Sequence, residues 1–159
     1  MNILNRITSA FSPIRKVTDF EELVYSSFLP LASRHKLRLR KLREGIFQID
    51  GIGFHLRIRK GTGHRADFLV TVLPAKYESV ALEKLEGEIG LGVIVEFNGA
   101  AGINTEKLNS EAFMKAAENS EKYCLPYLLG TKSDFDGILT FVEKKIEKHR
   151  NQSRRDDRK

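Results

Sequence analysis

The sequence predicts an α+β domain: an antiparallel meander of four to five strands, with an N-terminal helix and two or three C-terminal helices packed on one face. Three observations carry that expectation. Alternating apolar residues over 46–60 flank an Asp50-Gly51 turn, and a further alternating run over 66–73 follows the turn Gly61-Thr62-Gly63-His64. Neighbouring strands joined by short turns must pair antiparallel. Helical periodicity then frames the strands, at 19–32 on one side and beyond 109 on the other.

Residues 1–16, MNILNRITSAFSPIRK, set Ile3, Leu4, Ile7 and Phe11 on one side of a helix, with three basic residues and no acid. The segment reads as a docked helix or a frayed end. The same pattern also fits an organellar transit peptide or an N-terminal contact with a membrane surface. A helix is expected from Asp19 to Ala32, because Phe20, Leu23, Val24, Phe28 and Leu31 recur at helical spacing. Thr18 and Glu21 form a capping box at its start, and Pro30 is expected to bend or end it.

The hairpin carries the strongest pattern. With Asp50 and Gly51 as its loop, Ile49 faces Ile52 and Phe47 faces Phe54, and these share the core side with Leu56 and Ile58. Gln48, His55, Arg57 and Arg59 take the other side. A slip of one residue would bury the arginines. In the preceding basic run, alternation breaks at Lys41-Leu42, so its side chains cannot be assigned to a face. The strand over 66–73 carries Leu69 and Leu73 on its second side, which suggests cover on both, and Pro74 ends it. A short helix is expected within 75–87 and a strand over Leu91 to Phe97, an apolar run bounded by Gly90 and Asn98-Gly99. Asn109 or Ser110 then caps a helix through Phe113, Met114, Ala117 and Tyr123, broken at Leu125-Pro126-Tyr127. The last helix opens at Ser133 with a stripe of Phe135, Ile138, Leu139, Val142 and Ile146. The tail 150–159 has no apolar residue and is expected to be disordered, which leaves residues 17–149 as one domain.

At 159 residues the chain suits one core rather than two. A single cysteine, Cys124, excludes an internal disulfide framework and a multi-cysteine zinc site, and suits a reducing, cytoplasmic setting. No apolar run approaches the roughly 18 residues that cross a bilayer. The charge is local: residues 34–65 hold ten Lys or Arg against Glu44 and Asp50, a net +8 that exceeds the +6 of the whole chain. Residues 66–98 carry −4.

Catalytic patterns are sparse. Gly61-Thr62-Gly63-His64-Arg65-Ala66 has the spacing of a dinucleotide loop, but a strand follows where that chemistry needs a helix N-terminus. His35, His55, His64 and His149 show no ligand spacing with one another or with Cys124, so no metal and no cofactor is expected. Cys124 reads as a small core residue. Asp67 and Glu96 are the carboxylates that strands would present beside the basic face.

The expected binding surface is therefore the basic side of the sheet, Gln48, His55, Arg57 and Arg59, extended by Lys36, Arg38 and Arg40. Its reading is a non-enzymatic protein that engages an acidic protein partner or a second copy of itself. The competing reading is an RNA-binding protein, or a metal-independent RNA-cleaving one with His55 as general acid/base and Arg57 or Arg59 stabilising a phosphorane. Against it, no aromatic residue joins the charged side for base stacking. The layout of a leading helix, a meander and closing helices is similar to that of small bacterial accessory proteins, including toxin-neutralising immunity proteins and secretion chaperones. That likeness is one of architecture alone and assigns no residue.

Overall fold

The computed structural model describes residues 20–61, 67–78, 87–101 and 108–156. Five strands, β1 (Arg38–Arg43), β2 (Ile46–Asp50), β3 (Phe54–Lys60), β4 (Phe68–Pro74) and β5 (Ile89–Gly90), form one sheet in sequence order with every pair antiparallel. A helix, α1 (20–34), precedes it. Helices α2 (Leu91–Phe97), α3 (Ser110–Asn119), α4 (Leu125–Leu128) and α5 (Phe135–Asp156) follow. A π-helical turn at Ser120–Cys124 joins α3 to α4. The expected α+β meander, with helices before and after it, is what the chain forms.

Strand register sorts the side chains into two faces. Leu39, Ile49, Leu56 and Val72 line up across four strands, and Phe47, Ile58 and Val70 across three. Helix α1 lays Phe20, Val24, Phe28 and Leu31 against this side, and α3 adds Phe113. The Phe113 ring stands 4.1 Å from that of Phe68 and 5.8 Å from that of Phe20, centroid to centroid. At the other end of the sheet, Phe54 meets Phe135 at 4.7 Å. A β-strand has period two, so one buried face needs only every second residue to be apolar.

The hairpin loop differs from the two-residue turn expected. Ile49 pairs with Leu56 and Phe47 with Ile58, a shift of four residues on β3, and Ile52 is 79% exposed instead of facing Ile49. Because the shift is even, every other residue keeps its face. The longer loop is held from outside: the Ile52 N–H donates to the Leu128 carbonyl at 2.8 Å, and the Ala75 N–H to that of Gly53 at 2.9 Å. Gly51 serves close approach here. A Cβ on it would lie 2.3 Å from the Phe54 carbonyl oxygen and 2.7 Å from that of Leu128.

Other expectations shift for identifiable reasons. Residues 91–97 are helical, not a strand: Leu91, Ile94 and Val95 are buried at helical spacing, and short apolar runs satisfy both periods. Helix α1 continues past Pro30 to residue 34. The tail is helical through Asp156 as an extension of α5, whose Leu139 and Ile146 are largely exposed. Within 75–87, a 3₁₀ turn spans Ala75–Tyr77, and 79–86 lie outside the described residues. So do the expected capping box at Thr18, segment 1–16 and most of the Gly61–Arg65 turn. The β3–β4 pairing closes around that turn, with the Gly61 N–H donating to Asp67. The break in alternation at Lys41-Leu42 is a β-bulge, with register shifting between Lys41 and Arg43. Asn109 caps α3, its side chain accepting from the Ala112 N–H at 2.9 Å.

Candidate functional site: a covered ionic face and an open basic edge

Cross-strand pairing sets Arg40, Gln48, Arg57 and Thr71 in one row on the polar side of the sheet, flanked on one side by the row of Asp50 and His55 and on the other by that of Ile46 and Arg59. The side expected to be solvated is largely buried. Gln48 and Arg57 are 0% and 1% exposed, and His55 and Arg59 are each 6% exposed. The Arg57 side chain is among the largest fully buried ones in the protein. Cover comes from the chain after β4: Glu78 follows the 3₁₀ turn and Glu88 precedes β5.

These two acids, with Asp50, match the three arginines in number: Glu88 takes Arg57 and Arg59, while Asp50 and Glu78 share Arg40. The Arg57 Nε donates to Gln48 Oε1 at 2.8 Å, its Nη1 to Glu88 Oε1 at 3.0 Å and its Nη2 to the Glu78 carbonyl at 3.3 Å. Arg59 grips the same Glu88 through Nε, 3.2 Å from Oε2, and through Nη2. The Thr71 hydroxyl donates to Glu88 Oε2 at 2.7 Å. Arg40 donates from Nε to Asp50 Oδ2 at 2.7 Å and from Nη2 to Glu78. Gln48 donates to Asp50 Oδ1 at 2.7 Å. Three guanidinium groups thus balance three carboxylates, as charges under cover must.

The carboxyl groups respond accordingly. Burial pushes the Glu88 carboxyl upward, but donation from Arg59, Thr71 and Arg57 outweighs it and holds the group below the ordinary carboxylate value. Asp50 and Glu78 move the same way: burial opposes ionisation, and the hydrogen bonds from Arg40 and the charges around them overcome it.

Asp50, His55 and Glu78 form the one group of at least three His, Cys, Asp or Glu side chains among the described residues with ligand atoms this close together. One such atom from each lies within 4.8 Å of the other two. His55 Nδ1 accepts from the Gly51 N–H at 3.3 Å, whereas Nε2 makes no hydrogen bond among the described residues. Nothing in histidine or cysteine spacing signalled this cluster, because its members come from two strands and a loop. The acidity of 66–98 was the available sign that the basic run would be neutralised from within.

The rest of the basic run behaves differently. Lys36 and Arg38 are exposed, and neither side chain has an ion pair or hydrogen bond among the described residues. Strand β1 lies at the end of the sheet and pairs only with β2. Lys36 also holds a left-handed backbone, φ 55°, where α1 ends and the Leu37 N–H reaches back to the Ala32 carbonyl. Glycine is the usual occupant of such a position.

The remaining candidates stand apart. Cys124 is buried, which pushes its thiol upward and away from the thiolate a nucleophile needs. Asp67 accepts from the Leu108 N–H, and Glu96 pairs with Lys145 on α5. A cleft of about 460 Å³ opens between Phe54, Pro74, Tyr77, Phe135 and Leu139, and its described lining includes neither acid. No helix of the described residues is long and apolar enough to cross a membrane. Comparisons with models of protein families, with curated proteins and with solved structures give no match.

Proposed function

We propose that this is a non-enzymatic binding protein that engages an acidic protein segment, and that it does so at the β1 edge rather than through the face of the sheet. The observation that carries this reading is the pair Lys36 and Arg38, exposed and without side-chain partners among the described residues beside an edge strand. Arg40, half-buried on the same strand, already serves Asp50 and Glu78, so it braces the edge from behind. An extended acidic segment adding to β1 would gain backbone hydrogen bonds and the two exposed cations Lys36 and Arg38. A second copy of β1 fits worse, because it would set arginine against arginine. The single buried cysteine supports a reducing compartment such as the cytoplasm.

The RNA reading has less support. Arg57 and Arg59 are occupied by Glu88, so neither guanidinium is placed to meet a phosphorane. The two readings separate in solution. A fluorescein-labelled peptide of alternating glutamate and valine should bind the wild type, and Lys36→Glu/Arg38→Glu should weaken binding at least tenfold. Wild-type protein that ignores the peptide, or a double variant that binds it equally, rejects the proposal. Tight, steeply salt-dependent retention of the wild type on RNA in place of the peptide would favour the alternative.

A further inference from the structure

We propose that Asp50, His55 and Glu78 form a binding site for a divalent transition-metal ion. The cluster joins a nitrogen donor to two carboxylates, a donor set suited to zinc and its first-row neighbours. An independent observation points to a ligand. His55 is more than nine-tenths buried, yet its Nε2 has no hydrogen-bond partner among the described residues. That atom stands 3.4 Å from Glu78 Oε2, a separation compatible with two ligands of one ion. Buried polar atoms in folded proteins are nearly always satisfied, so an orphan nitrogen facing a carboxylate calls for a partner.

The surroundings supply what such a site needs. Gln48 holds Asp50 from behind through Oδ1, Glu78 Oε2 is left toward His55, and Asp50 Oδ2 is the oxygen that Arg40 would release to an ion. Metal on Nε2 requires the imidazole proton on Nδ1. There Nδ1 changes from acceptor to donor, and the 3.3 Å contact with the Gly51 N–H loosens. The Glu78 side chain is 44% exposed, which gives an ion a way in. Arg40 is the cation that a metal must compete with. It is a third exposed and can turn to solvent.

Isothermal titration of the metal-free full chain with zinc chloride tests this. One equivalent should bind per chain. Glu78→Gln, a change at a half-exposed side chain that keeps the fold, should weaken binding at least tenfold, and His55→Ala should do the same where it folds. Arg40→Gln should tighten binding several-fold by removing the competing charge. His35→Ala, which disrupts the separate His35–Glu121 pair, should leave it unchanged. No saturable binding, wild-type affinity in Glu78→Gln, or loss of binding in His35→Ala would overturn the assignment. The peptide binding at β1 should survive chelation, so the two proposals stand or fall separately.

Discussion

The two faces of this sheet are built from the same strands and buried by different means. On one, Phe47, Ile49, Leu56, Ile58 and Val72 lie under helices, and any apolar side chain of suitable volume would meet the same need. On the other, Arg57 and Arg59 are buried with Glu88, and each depends on the identity of its partner. Apolar burial is tolerant and additive in area. Ionic burial is specific, because removal of one member strands the others in a low-dielectric setting. A basic stretch of sequence can therefore be interior, and its excess charge says little about where a partner binds until its acids are located.

The sharpest way to break this contrast is Glu88→Gln. It leaves Arg57 and Arg59 buried without their carboxylate and should cost about 3–5 kcal/mol in urea unfolding. Replacing the three together, Arg57→Met, Arg59→Met and Glu88→Leu, should cost less than Glu88→Gln alone, because it removes the desolvation penalty with the charges. A triple variant less stable than the single one would show that the face is valued for its ion pairs themselves.

Gly51→Ala comes next. Its Cβ would press on two backbone carbonyls, and overpacking of that kind costs about 1–3 kcal/mol. An unchanged melting temperature would mean that the loop yields freely against Leu128.

Acid should act on the ionic face and spare the apolar one. The folded Glu88 carboxyl titrates below its ordinary value of 4.5, so the stability it contributes is present above that pH and is lost as pH falls through the folded value. Asp50 and Glu78 have the same sign. The urea midpoint should be flat near neutrality and fall below about pH 4.5, whereas a midpoint that rises on acidification would contradict the assigned pairs. The smallest effect is expected at the open edge. Lys36→Gly relieves the left-handed backbone and should stabilise by about 0.5–1 kcal/mol while weakening acidic-peptide binding.

Sequence patterning carried the apolar face well, because period-two alternation at Phe47, Ile49, Leu56 and Ile58 is a local property. It even survived a wrong loop length, since an even register shift preserves faces. The ionic face was half legible. Alternation grouped Gln48, His55, Arg57 and Arg59 on one side, but their cover depends on Glu78 and Glu88, which lie 21 to 31 residues along the chain from the arginines they meet. Such pairing is set by tertiary geometry and leaves no periodic trace. Residues 91–97 depart from the strand their sequence favours for a related reason: Val93, Ile94 and Val95 prefer strands intrinsically, and packing of Leu91, Ile94 and Val95 against the core overrides that preference.

The central claim, that the basic face is interior and the basic edge is not, is tested most directly by arginine modification with phenylglyoxal, read by mass spectrometry of the native protein. Arg38 should react readily, and Arg57 and Arg59 only after denaturant is added. Modification of Arg57 and Arg59 at the rate of Arg38 in native buffer would contradict it.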